Sequence, residues 1–266
     1  MAKRFEGQVF VVTGGASGIG AAAAQVLGAE GARLVLAARD AARGEAFVRH
    51  LASEGIEARF VRTDVSREAE MVALFEAAER AYGRIHGLFN NAGLELQGVA
   101  PLGEWSEADC DLMLSVNVKG MFLGMKHAIP RLLQAGGGTV INCSSFVGTL
   151  IPLPAAPIYG ATKAAIISMT RALAAEYADK GVRIYAVCPW MTDTPMNDRL
   201  TGHAPSHKDA LASQLNPSGK LASALDVGRV IADLFAGTHG HAPGEALFVD
   251  HGGALTRLAP AQAIPV

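Results

Sequence analysis

The chain has 266 residues, of which 50% are hydrophobic and 18% charged, with a formal net charge of -2 at pH 7. That balance argues against a disordered chain, and the near-neutral charge without a basic stripe argues against a nucleic-acid binder. Three cysteines, Cys110, Cys143 and Cys188, form no C-x-x-C pair, so neither a disulfide framework nor a zinc site is indicated.

The first apolar run, 8–13 (QVFVVT), is rich in β-branched residues and reads as a buried strand. Gly14, Gly15, Gly18 and Gly20 follow, then an alanine-rich helix over 19–30 closed by Gly31. A strand over 33–38, a helix over 41–53, a strand over 57–62 and a helix over 67–82 continue the pattern. Strand four covers 86–89. Residues 106–134 read as a long helix in which Pro130 predicts a kink or break. Strand five is 139–143, and an alanine-rich helix opens at 159–163. Strand six is 183–187. Residues 192–220 are mixed in polarity, carry Gly and Pro, and read as a flexible excursion. A helix over 224–235 and a strand over 246–249 close the chain, ahead of an uncharged tail, 258–266.

This alternation predicts an α/β fold: a doubly wound, mostly parallel seven-stranded sheet of Rossmann type with helices on both faces. No linker or repeat interrupts it, so residues 1–266 are read as one domain. No apolar stretch suits a signal peptide or a membrane span, and a soluble cytoplasmic protein is the expectation.

Two stretches carry chemistry. The first turn, Thr13 to Gly20, has the spacing G-x-x-x-G-x-G between a strand and a helix. Glycines there permit a sharp turn and close approach of a pyrophosphate, and the helix N-terminus offers free N–H groups. Tyr159 and Lys163 stand four residues apart, on one helix face. A phenol of pKa about 10 beside a fixed ammonium would ionise more readily. It could then exchange protons near neutral pH.

With Asn90-Asn91-Ala92-Gly93, Asn117 and Ser145 between them, these motifs lie in the order found in the short-chain dehydrogenase/reductases of the classical type. The resemblance spans residues 5–253. It implies an oxidoreductase that moves a hydride between NAD(P)(H) and a secondary alcohol or ketone. By that resemblance Tyr159 is the acid/base. Lys163 tunes it and holds the nicotinamide ribose. Ser145 stabilises the substrate oxygen, with Ser144 as fallback; the Ser145–Tyr159 interval is 14 where the family usually has 13, which is read as one residue inserted in the loop 151–157. Asn117 distorts its helix and relays protons through a water. The cofactor set implied is Gly14, Ser17, Gly18, Ile19, Gly20, Asp64, Val65, Asn91, Ala92, Gly93, Pro189, Thr192 and Thr194, with Tyr159 and Lys163.

The end of strand two decides between the cofactors. An acid there would bond the ribose of NAD. Ala38 holds that position and Arg39 follows, able to pair with a 2′-phosphate. NADP(H) is favoured, and NAD(H) stays open because Asp40 adjoins Arg39 and the glycine turn has no basic residue. Trp190 replaces the glycine the family commonly has after Pro189. Either the backbone there is conventional or the ring narrows the pocket. His251 interrupts the usual D-G-G ending. Glu95, Phe146, Trp190 and Met196, with apolar neighbours, are read as a pocket for a substrate with a hydrophobic body. Residues 192–215 are read as a lid. The small face of the Tyr159 helix predicts a homotetramer, with a homodimer as alternative. A dinucleotide sensor without turnover is the rival reading.

Overall fold

The computed structural model describes residues 3–96, 101–153, 156–200, 205–250 and 253–255. The first half alternates strictly: β1 (Val9–Thr13), α1 (Gly18–Ala29), β2 (Arg33–Ala38), α2 (Ala41–Ser53), β3 (Ala58–Arg62), α3 (Glu68–Tyr82) and β4 (Gly87–Asn90). Then come α4 (Glu107–Met113), α5 (Gly120–Gln134), β5 (Gly138–Cys143), α6 (Pro157–Tyr177) and β6 (Val182–Pro189). The chain closes with α7 (Pro195–Leu200), α8 (Pro205–Leu215), α9 (Ala224–Ala236), β7 (Ala246–Asp250) and β8 (Gly253–Leu255).

The strands form one sheet in the order β3-β2-β1-β4-β5-β6-β7-β8. The seven expected strands are all parallel, and the short β8 adds antiparallel to β7. Alternate side chains feed two cores. Phe10, Val12, Leu34 and Leu36 face α1 and α9, while Val9, Val11, Val35 and Leu88 face α3 and α5. Both sheet faces are covered, which is why the strands are apolar throughout. The order reverses between β1 and β4, and ligands of open α/β sheets bind beyond the strand ends at such a switch point.

Three expectations are corrected. The helix over 106–134 is interrupted upstream of Pro130, which lies inside a continuous α5. The interruption is a π-helical stretch, Leu114–Lys119, joining α4 to α5 around Asn117. Residues 192–220, expected as a flexible excursion, hold α7 and α8 among the described residues. Each of these helices begins with proline, a residue suited to the first helical position although it reads as a breaker in sequence. β8 was not foreseen, being three residues long. His251, the tail and the helix-flanking residues 201–204 lie outside the described residues.

Candidate active site

The glycine turn leaves β1 with Gly14 at φ +65 and enters α1 with Gly18 at φ +53, both in the left-handed region that favours glycine. A Cβ on Gly20 would overlap the Gly14 carbonyl and lie 2.7 Å from Asn91 Nδ2. That nitrogen donates to the carbonyls of Thr13 (3.0 Å) and Gly14 (3.3 Å). The Thr13 hydroxyl accepts from the backbone N–H of Asn91 (2.9 Å) and Ala92 (3.0 Å). The turn, α1 and the segment after β4 are thus locked together. Ser17, the N-cap of α1, makes no side-chain capping bond, and the first turn of α1 has no acid. The helix end therefore keeps donors and a positive dipole for an anion, and it fits the phosphates of a dinucleotide.

The proton-handling groups arrive from two elements. β5 ends at Cys143 and delivers Ser144 and Ser145, both buried. The Ser144 hydroxyl donates to the Lys163 carbonyl (2.8 Å), so it is committed to the scaffold. Ser145 Oγ accepts from Val147 N (3.1 Å), and Ser145 opposes the rise of the Tyr159 phenol. This geometry favours Ser145 over Ser144. α6 carries Tyr159 and Lys163, with Lys163 Nζ donating to the Cys143 carbonyl at 3.0 Å and lying 5.5 Å from the Tyr159 ring centre. Burial pushes the Tyr159 phenol above its ordinary value, Glu95 and Cys143 add to that, and Ser145 opposes it. Burial pushes Lys163 down. The lowered phenol pKa expected from spacing alone is thus not what the protein produces unaided. Desolvation is the largest cause, and the ammonium donates to the Cys143 carbonyl.

Asn117 is fully buried and does not line the cavity. Its Oδ1 accepts from Leu94 N (2.8 Å), and its Nδ2 donates to Leu94 O (2.8 Å) and Thr162 Oγ1 (3.2 Å). Thr162 in turn donates to the Tyr159 carbonyl at 2.7 Å. The side chain thereby ties the 93–95 segment to the first turn of α6. A Cβ on Gly93 would stand 3.4 Å from Asn117 Oδ1 and 3.5 Å from Lys163 Nζ.

These groups open onto one cavity of about 340 Å³ at the switch point. Gly14, Ser17, Gly18 and Ile19 line one side, with Asn91, Ala92, Gly93 and Glu95 beside them. Ser145, Tyr159 and Lys163 line it too, as do Pro189, Thr192 and Thr194 after β6. Phe146, Trp190 and Met196 line the remaining part, with Val147, Leu153, Met191, Leu211 and Leu215. Sequence reasoning missed Leu153, Leu211 and Leu215, the last two because α8 read as part of a flexible excursion. Of the other anticipated neighbours, Leu94, Leu96, Leu150 and Ile151 pack behind the wall rather than on it. Gly20 also lies outside the lining, because its part is close packing.

The adenosine-side residues sit apart from the cavity. Arg39 is exposed just beyond β2. The Asp40 side chain caps α2, accepting from Arg43 N at 3.0 Å. Asp64 accepts from the N–H (3.0 Å) and hydroxyl (2.7 Å) of Ser66. Burial raises its pKa, but the Ser66 bonds and the charges of Arg39 and Arg67 hold the carboxyl below its ordinary value. Val65 is buried, and a Cβ on Gly120 would meet its Cγ2 at 2.8 Å.

Trp190 keeps a conventional backbone, donating from its N–H to Val249 O at 3.0 Å, and its ring also enters the wall. Both alternatives left by the sequence therefore hold. Asn216, not anticipated, clamps the next residue: its Oδ1 accepts from Met191 N (3.0 Å) and its Nδ2 donates to Met191 O (2.9 Å). Lys208 on α8 bridges Asp193 (2.7 Å) and Asp198 (2.6 Å), tying the excursion to itself. An asparagine paired with a strand-end backbone leaves no sequence pattern to find.

The sequence profile of the family described as short chain dehydrogenase matches residues 8–204. The chain belongs to the short-chain dehydrogenase/reductase family. It is 34% identical to 2-(S)-hydroxypropyl-CoM dehydrogenase 3 of Xanthobacter autotrophicus, covering 95% of this chain and 98% of that protein. It is 36% identical to cis-4-hydroxycyclohexanecarboxylate dehydrogenase of Sinomonas cyclohexanicum, again over 95% and 98%. The crystal structure of levodione reductase superposes with a TM-score of 0.86 at 31% identity, covering 93% of this chain and 98% of that one. This member of the family is an oxidoreductase acting on CH–OH or C=O groups of small molecules, and an NAD(P) cofactor goes with the family. Among the described residues no helix is long and apolar enough to cross a membrane.

Proposed function

We propose that the chain transfers a hydride between NADP(H) and a cyclic secondary alcohol, or its ketone, with a largely apolar body. The observation that carries this is the convergence of Ser145, Tyr159 and Lys163 on a cavity that the glycine turn also lines. The bound dinucleotide supplies the hydride acceptor or donor. Gly14, Ser17, Gly18 and Ile19 hold its phosphates, with Gly20 allowing the approach of α1. Asn91, Ala92, Gly93, Pro189, Thr192 and Thr194 hold the nicotinamide side. Asp64 and Val65 hold the adenine side, and Arg39 takes the 2′-phosphate as a charge-assisted partner. Its exposure and the diversion of Asp40 into a helix cap support NADP(H) over NAD(H).

Tyr159 gives the proton to the substrate oxygen in reduction and takes it in oxidation. Ser145 donates to that oxygen as charge develops. Lys163 orients the ribose and favours the phenolate when the proton leaves. Asn117 acts as a positioning residue, through Leu94 and Thr162. Burial keeps Tyr159 protonated across neutral pH, the form that donates. Ketone reduction should therefore stay level through neutral pH, whereas alcohol oxidation, which needs the ionised form, should rise with pH. The apolar wall of Phe146, Trp190, Met191 and Met196 supports a hydrophobic body, with Glu95 at its edge. A relative named for a cyclohexanecarboxylate supports a ring, whereas one named for a hydroxypropyl group does not. α7 and α8 act as a substrate lid.

Absorbance of reduced nicotinamide, followed against cyclic and acyclic secondary alcohols with each cofactor, tests this reading. Turnover of ring alcohols with NADP is expected, rising with pH. Cofactor binding with no turnover of any alcohol or ketone would contradict it. A cytoplasmic homotetramer of single-domain subunits completes the reading. Free cysteines, exposed Leu112, Leu114 and Phe122, and the single sheet support it. A monomer in sedimentation at micromolar concentration would contradict the assembly.

A further inference from the structure

The family resemblance implies a glycine where this chain carries Trp190. The residue is only 4% exposed, and it lines the cavity that Tyr159 and Ser145 share. Its ring stacks on Phe146, with ring centres 4.6 Å apart and planes 15° from parallel. The pair makes a flat apolar wall that suits a ring-shaped substrate body. The indole Nε1–H is buried and has no acceptor among the described residues. A buried donor left unpaired is costly, whereas one that meets an acceptor in the bound state recovers that cost. Indole nitrogen is a donor only, so its complement must be an oxygen, or another acceptor, carried by the substrate.

We infer that Trp190 is a specificity-determining residue whose indole N–H donates a hydrogen bond to a second oxygen of the substrate, remote from the carbon that exchanges hydride. The inference rests on the oxidoreductase reading above and narrows its substrate class to ring alcohols or ketones bearing a further hydroxyl, carbonyl or carboxylate oxygen. Sites that hydrogen-bond a substrate group reject the analogue lacking it far more strongly than apolar sites reject an extra group, because the site's own donor is then stranded. Phe146 holds the indole plane by stacking, and the Trp190 backbone is fixed by its bond to Val249 O, so the donor is pre-oriented.

The test compares 1,4-cyclohexanediol with cyclohexanol as substrates of the full chain with NADP. In wild type the diol should have the higher kcat/KM. In Trp190→Phe, which keeps an aromatic ring and removes the N–H, the diol-to-cyclohexanol ratio of kcat/KM should fall about tenfold or more. An independent readout uses the wild-type chain with ¹⁵N-labelled indoles. Only Trp105 and Trp190 contribute signals, and Trp105→Phe assigns them. The Trp190 N–H signal should move downfield on saturation with the diol and NADP, and less so with cyclohexanol. A shift without turnover of any alcohol would overturn the oxidoreductase reading and leave the hydrogen bond standing. Turnover with an unchanged ratio and no selective shift would overturn the inference about Trp190 alone.

Discussion

The two walls of the cavity are built on different principles. On the cofactor side the contacts are made by backbone and by glycines. Gly14 and Gly18 take left-handed conformations, Gly20 allows α1 to touch the turn, and Thr13 and Asn91 stitch β1 to the segment after β4. On the substrate side the wall is made by side chains: the Phe146–Trp190 stack, Met191 held by Asn216, and two leucines of α8. On the first wall a Cβ at Gly14 or Gly20 would meet Asn91, and at Gly20 the Gly14 carbonyl as well. The second can be rebuilt by exchanging side chains while the fold stays. Tyr159 belongs to both, since α6 places it between them.

Substitutions can break this contrast. The largest effect is expected for Tyr159→Phe: turnover should fall by about 10²- to 10⁴-fold, while dinucleotide affinity measured by fluorescence titration stays within about threefold. Equal losses of both would merge the two walls into one. Next, Gly20→Val should lower stability by about 1–3 kcal/mol through overpacking, seen as a drop in Tm, and weaken dinucleotide binding with it. A Tm equal to wild type would show that α1 has room to retreat. Smaller still, Arg39→Ser should lower the NADP-to-NAD ratio of kcat/KM about tenfold, one charge-assisted bond's worth. A strong preference for NAD in the wild type would remove Arg39 from the site. The smallest effect is expected for Lys208→Ala, which frees α8 from Asp193 and Asp198. Its KM should rise only a few-fold, in keeping with the modest strength of ion pairs near solvent, with dinucleotide affinity unchanged.

The same contrast explains what could be read from sequence. The glycine turn was legible because glycine spacing and strand–helix alternation are chain-local: the seven parallel strands lie where expected, and Gly14, Ser17, Gly18 and Ile19 line the cavity at the switch point. Asn117 was legible as a disruption, although the break it marks is a π-helical stretch and Pro130 rides inside α5. The substrate wall was legible only in part. Phe146, Trp190 and Met196 follow from their distance to motifs. Asn216 and Leu215 reach the site only through the path of α8, which begins with a proline that read as a breaker. The phenol's raised pKa was not legible, since sequence spacing reports a nearby ammonium and says nothing of burial.

The account's central claim is that both walls serve one proton donor. A crystal structure of the chain with NADP and an unreactive ketone analogue tests it most directly. The Tyr159 hydroxyl should lie about 2.6–3.2 Å from the analogue's oxygen, within proton-transfer reach, with Ser145 as its second partner. A hydroxyl turned away from the oxygen, beyond any hydrogen bond and with no water between them, would contradict the account.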